Sequence, residues 1–256
     1  MIGAIAGDMI GSPYERYPIK HTNFDSVVSA FTDDTVLTIA IAYSILNGAD
    51  IASSLKKFSE KYHNLPYGSG FRRWVRSWGN QPYNSFGNGS AMRVSPVGFA
   101  YDSVEDVLHQ AERTAEVTHN HSEGLKGAQA TALAIYLARL GKSKETIRKE
   151  ITDRFSYDLN RTVDEIRPNY QFDVTCQGSV PESIVAFLDS NSWEDAIKKS
   201  ISLGGDADTM ACITGGIAQA YYKTIPEKIA EAARNKLSPD LREVLDRFNQ
   251  KYKCKF

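Results

Sequence analysis

Apolar residues recur with few polar interruptions over three stretches of the 256-residue chain, and each stretch is bounded by residues that start or stop helices. From Thr35 to Asn47 a run of Val, Leu, Ile and Ala ends at Gly48, the position where helices commonly stop. Thr32, Asp33 and Asp34 precede it and carry side-chain oxygens suited to the first free N–H groups. Gly124 to Leu140, ended by Gly141, and Thr209 to Tyr222 show the same character. All three predict helices buried over most of their circumference. Pro226 to Lys236 and Asp240 to Tyr252 alternate polar and apolar residues at helical spacing and predict amphipathic surface helices. Gly3, Gly7 and Gly11, and also Ala128 and Ala132, recur every four residues, so close helix–helix approach is expected at those faces.

No strands alternate with helices as a parallel sheet requires. The expectation is an all-α fold in one domain spanning residues 1–256, long enough to bury a substantial core. Two stretches break the helical pattern: Asn64 to Val97, dense in Gly, Pro, Asn and aromatics, and Tyr157 to Pro181. Long loops in a compact domain are often functional. No fixed-period repeat points to a solenoid.

Charge and cysteine content narrow the function classes. A formal net charge of −1 gives no strong nucleic-acid signal and argues against an anionic membrane as partner. No apolar run approaches the roughly twenty residues of a membrane span. Met1 to Met9 lacks a basic flank and contains Asp8, so it does not read as a secretory signal. Cys176, Cys212 and Cys254 are odd in number without CxxC spacing, as expected for reduced thiols. A soluble cytoplasmic monomer is the expectation.

The candidate chemistry lies at two helix starts. Thr32-Asp33-Asp34-Thr35 opens one apolar helix and Asp206-Ala207-Asp208-Thr209 opens another. Either motif alone reads as a helix cap. Together they offer more hard oxygen donors than capping needs. Four converging aspartates would repel pairwise by about 4 kcal/mol at 4 Å and an effective dielectric of 20, a cost that divalent cations remove. Carboxylate and hydroxyl oxygens select Mg²⁺, Mn²⁺ or Ca²⁺, whereas zinc would recruit His or Cys.

These motifs belong to an ordered set of five blocks: Gly3-Ala4-Ile5-Ala6-Gly7-Asp8 with Gly11-Ser12-Pro13-Tyr14-Glu15, Phe31-Thr32-Asp33-Asp34-Thr35, Gly87-Asn88-Gly89-Ser90-Ala91-Met92-Arg93, Thr118-His119-Asn120-His121, and Gly204-Gly205-Asp206-Ala207-Asp208-Thr209. In these blocks, over nearly its whole length, the chain resembles the ADP-ribosylglycohydrolase family. The resemblance implies an orthogonal helical bundle and a site for two divalent cations, Mg²⁺ or Mn²⁺, bound by Thr32, Asp33, Asp34, Asp206, Asp208 and Thr209. It also implies Glu15 and Asp34 as catalytic carboxylates, Glu15 matching the family's mobile acidic residue. Asn88, Gly89, Ser90, Met92 and His119 are then the expected substrate contacts, and an ADP-ribosylated protein or small molecule the expected partner.

Each substrate contact also has a plainer reading. A lone Gly-Asn-Gly is commonly a tight turn, although absent side chains let backbone N–H groups approach an anion. A histidine near a helix start is commonly structural. His121, Ser122 and Cys212 come without a strained nucleophile elbow, so covalent thiol or serine chemistry is not expected. Arg72-Arg73-Trp74-Val75-Arg76-Ser77-Trp78 could face a nucleotide, but Trp74 and Trp78 are four apart, and a helix burying both tryptophans is the expectation. Adenine could stack on Phe86 or on Tyr83. The rival functions are a noncatalytic ADP-ribose-binding or structural relative and a hydrolase of another nucleotide sugar or N-glycoside.

Overall fold

The computed structural model describes residues 1–255. They form helices α1 (Ile2–Arg16), α2 (Asp33–Asn47), α3 (Ile51–Lys61), α4 (Ser69–Val75), α5 (Gly89–Met92), α6 (Ser95–Ala100), α7 (Val104–Glu116) and α8 (Ser122–Arg139). The second half adds α9 (Lys144–Phe155), α10 (Val163–Ile166), α11 (Cys176–Leu188), α12 (Trp193–Ile201), α13 (Ala207–Tyr222), α14 (Glu227–Lys236) and α15 (Pro239–Lys251). Among the described residues the one β-type pairing is an isolated antiparallel bridge between Gly87 and Thr175. The fold is therefore the all-helical one that the apolar periodicity predicts. No helix among the described residues is long and apolar enough to cross a membrane.

α1 and α13 form the spine, antiparallel and with backbones in contact. A Cβ on Gly3 would stand 2.6 Å from the Gly215 carbonyl oxygen, one on Gly7 2.1 Å from that of Ala211, and one on Gly11 2.3 Å from that of Ala207. The glycine stripe is thus met by small residues of equal spacing on α13, and a methyl group at any of these points would push the helices apart. This pairing places the C-terminal half of α1 against the N-terminus of α13. Around the spine, α2, α8, α11 and α12 bury Ile39, Leu133, Ile184 and Ile197 completely.

Helix ends differ from the periodicity by a few residues because the caps lie outside the apolar run. α2 starts at Asp33, with the Thr32 hydroxyl accepting from the Asp34 N–H, and ends on left-handed Gly48 (φ 61°). α8 starts at Ser122, capped by His121, and α13 at Ala207. The two stretches expected as loops are only partly so. Asn64 to Val97 holds α4, α5 and the start of α6, while Tyr157 to Pro181 holds α10 and the first turns of α11. Pro181 lies inside α11, near enough to its start that the proline forgoes a single backbone bond to Gln177.

The tryptophan pair is a correction. Trp74 is buried against Phe71, with ring centroids 5.5 Å apart, whereas Trp78 is fully exposed. α4 ends at Val75, so the four-residue spacing no longer puts both rings on one face.

Candidate active site

The closeness of α1 and α13 brings two acidic helix ends to one cavity of about 440 Å³. Glu15, Asp33, Asp34, Asp206, Asp208 and Thr209 all line it. One carboxylate oxygen from each of Glu15, Asp206 and Asp208 lies within 4.8 Å of the others. Glu15, near the end of α1, is half-buried at the wall.

The base of the site is organised by a residue that the acidic motifs do not contain. Asp8 is wholly buried on α1, two helical turns before Glu15 and on the same face. Its carboxylate accepts from the Thr32 N–H at 3.0 Å, the Thr35 N–H at 3.2 Å, the Thr32 hydroxyl at 2.8 Å and the Thr35 hydroxyl at 2.5 Å. α2 is thus capped from another helix, which sets how Asp33 and Asp34 present their side chains. Thr32 itself is committed to this network and, unlike Thr209, is not among the residues that line the cavity.

Burial raises every carboxyl pKa here. Asp8 is pushed up to about 6 by burial, against the pull of its hydrogen bonds, and Asp33 to about 7 by burial and then by the charge of Asp8. Asp34 is held well above the ordinary range by burial and by Asp8 and Asp33, and Asp208 by burial and by Asp34. Asp206 and Glu15 move upward for the same first reason, with Asp206 adding to the shift at Glu15.

The expected substrate contacts divide into two kinds. Gly89, Met92 and His119 line the cavity. Asn88 lines it too, but its amide donates to Asp206 Oδ2 at 2.8 Å and to the Ser179 hydroxyl at 3.2 Å, so its side chain orients the acidic motif. Ser90 is fully buried away from the cavity, its hydroxyl donating to the Gly124 carbonyl at 2.7 Å. That side chain ties the loop to α8. Of the two aromatics, Tyr83 is on the wall, while Phe86 is exposed and packs on His121 with centroids 5.3 Å apart.

A sequence model of the family described as ADP-ribosylglycohydrolase matches residues 1–255. The chain belongs to the ADP-ribosylglycohydrolase family. Among its relatives is the ADP-ribosylhydrolase ARH3 of Bos taurus, 29% identical, with 89% of this chain and 85% of that protein covered. The ADP-ribosylarginine hydrolase Tri1 of Pseudomonas putida is 25% identical over 87% of this chain and 69% of its own length. A solved structure titled ADP-ribosylglycohydrolase-related protein complex superposes with a TM-score of 0.73 at 22% identity, covering 98% of this chain and 97% of that one, which shows the shared fold.

The donor set of this family member fits divalent cations. Asp34 Oδ1 is buried without a hydrogen-bond partner. No lysine or arginine is among the groups that shift Asp34 or Asp208, whose neighbours are further carboxylates. Arg16 acts on Glu15, but the set remains dense in oxygen donors that repel one another, and such a set is suited to hard cations. Asp8 closes the first half of the first sequence block, but the motifs give it no role in the site. Beyond its place in that block, its signal is an ionisable side chain inside the otherwise apolar run Ile2 to Ile10.

Proposed function

We propose that this protein is a hydrolase that removes ADP-ribose from a modified acceptor by cleaving the glycosidic bond at the ribose, using Mg²⁺ or Mn²⁺. The observation that carries the reading is the convergence of both acidic helix ends and Glu15 on one cavity, in a chain whose relatives include hydrolases of ADP-ribosylated substrates.

Thr32, Asp33, Asp34, Asp206, Asp208 and Thr209 would hold the cations. When bound, these supply positive charge beside the ribose hydroxyls and acidify water there. The chain's own groups do the rest. Asp8 keeps the Asp33–Asp34 turn in place through Thr32 and Thr35, and Asn88 fixes the Asp206 carboxylate. Asp34, with a free buried oxygen, orients the attacking water. Glu15 has its pKa raised by burial and by Asp206, which increases its affinity for the proton moved during cleavage. An ordinary glycosidase places two carboxyl groups across the scissile bond; here most carboxylates face one another.

The remaining wall suits the nucleotide. Gly87 and Gly89 present bare backbone for a diphosphate, and Tyr83 offers an aromatic face to adenine. The test is mass spectrometry of products from a panel of ADP-ribosylated acceptors, arginine- and serine-linked among them, with and without Mg²⁺. Metal-dependent release of free ADP-ribose from at least one acceptor is the expected result. No release from any acceptor, with ADP-ribose still bound, would favour a noncatalytic binding protein.

A further inference from the structure

Arg93, wholly buried in the nucleotide wall and among the residues that line the cavity, has no carboxylate partner. Its Nη2 donates to the Thr114 carbonyl and to Thr118 Oγ1, each at 2.8 Å, while Nε and Nη1 have no partner. Thr118 Oγ1 lies 2.7 Å from His119 Nδ1. The other ring nitrogen, Nε2, faces the glycine loop, 3.3 Å from where a Cβ on Gly89 would stand and 3.7 Å from that of Gly87.

From this chain of contacts we infer that Arg93, acting through Thr118, fixes His119 as the neutral Nε2–H tautomer, a standing donor to an anionic acceptor over Gly87–Gly89. The inference rests on the ADP-ribose reading for the identity of that acceptor, a phosphate oxygen. Arginine can only donate, so Thr118 Oγ1 spends a lone pair on it. The hydroxyl proton then has two acceptors within reach, the Ala115 carbonyl at 3.5 Å and His119 Nδ1 at 2.7 Å. A 2.7 Å contact fits either direction, but the Ala115 carbonyl already accepts from the Thr118 N–H at 3.0 Å and the His119 N–H at 2.7 Å, so the hydroxyl proton goes to Nδ1 and the ring proton stays on Nε2. The charge agrees with this, since the Nε2–H tautomer points the lone pair of Nδ1 toward the guanidinium and the opposite tautomer points an N–H toward it. Burial first, and the charge of Arg93 second, hold the His119 pKa well below its usual value, so the ring stays neutral. Arg93 and Thr118 are positioning residues in this scheme.

The test is a two-bond ¹H–¹⁵N correlation spectrum of protein labelled at histidine nitrogens, recorded at pH 7 with Mg²⁺ and without ADP-ribose, with the His119 signals assigned by their loss in His119→Gln. Wild type should show a protonated Nε2 and a bare Nδ1. Thr118→Val should lose that pattern and bind ADP-ribose more weakly by about tenfold or more, the scale of one hydrogen bond to a charged group. Thr118→Ser, which keeps the hydroxyl, should restore both. A wild-type His119 with the proton on Nδ1, or doubly protonated, would overturn the inference, and so would a folded Thr118→Val protein that keeps the wild-type pattern. Because the tautomer is read without ligand, failure of ADP-ribose to bind wild type would count against the proposed function and leave the spectrum to decide the relay.

Discussion

The Thr32 hydroxyl on the α2 cap donates to Asp8 Oδ1 of α1 at 2.8 Å, across 24 positions of sequence. Asp8 does not line the cavity, yet its hydrogen bonds fix the turn that carries Asp33 and Asp34. Asp8→Asn would turn an amide donor toward donors of the cap and break part of this network. Outer residues that orient metal ligands typically contribute 10–100-fold to affinity, so Mn²⁺ binding should weaken by about tenfold or more in Asp8→Asn. Calorimetric titration checks this, and wild-type affinity in a folded variant would reduce Asp8 to a structural residue.

Stability should depend on pH in a direction set by the raised carboxyl pKa values. A carboxyl lifted from 3.8 to about 6 or about 7, as at Asp8 and Asp33, holds its proton more tightly folded than unfolded. Its contribution is complete below the unfolded value and lost as pH rises through the folded one. The metal-free protein should therefore lose stability between about pH 4 and about pH 7. Saturating Mn²⁺ should remove or reverse that slope, because cations replace the protons. Urea midpoints across this range, with EDTA and with Mn²⁺, measure both; parallel curves would contradict the reading.

Gly7→Ala tests the spine. The added methyl group would meet the Ala211 carbonyl at 2.1 Å, and backbone on both sides leaves nothing flexible to yield. Overpacking of this kind costs about 1–3 kcal/mol or more. A lower urea midpoint together with weaker Mn²⁺ binding is expected, since the same contact aligns Asp8 and Glu15 with α13. An unchanged midpoint would mean that the helices can separate at little cost.

Much of this fold is legible in the sequence because its central helices are buried nearly all round, and the runs at Thr35–Asn47 and Thr209–Tyr222 say so directly. The α1–α13 contact is half-legible: the spacing of Gly3, Gly7 and Gly11 announces a close approach but not its partner. Trp78 and Pro181 mislead for one reason, namely that a local rule of spacing or breaking holds only where the helix boundaries are known. The two acidic motifs can be picked out by composition, but their meeting, the bond from Asp8 to Thr32 and the bond from Asn88 to Asp206 join residues 24 and 118 positions apart. No periodicity encodes such pairings; they follow from how the helices pack.

Gly89→Val tests the nucleotide wall. A side chain there would come within 3.3 Å of His119 Nε2 and fill the space over the loop. ADP-ribose affinity should fall by at least about tenfold, the scale of one lost hydrogen bond to a charged group, while Mn²⁺ affinity changes little. Unchanged ADP-ribose affinity in the folded variant would make Gly87–Gly89 only a turn.

Asp208 carries the central claim, for it lines the cavity at the start of α13 within reach of Glu15 and Asp206. Asp208→Asn keeps the size of the side chain, and its amide oxygen can still accept from the Thr209 N–H, as Asp208 Oδ1 does at 2.9 Å. It removes the charge that a cation ligand supplies. The decisive measurement is ADP-ribose release by wild type and Asp208→Asn at limiting Mn²⁺, with thermal melting and Mn²⁺ titration on the same preparations. The account predicts an intact fold, metal affinity weakened by about tenfold or more and turnover close to the metal-free background. A folded Asp208→Asn protein with wild-type turnover would contradict it.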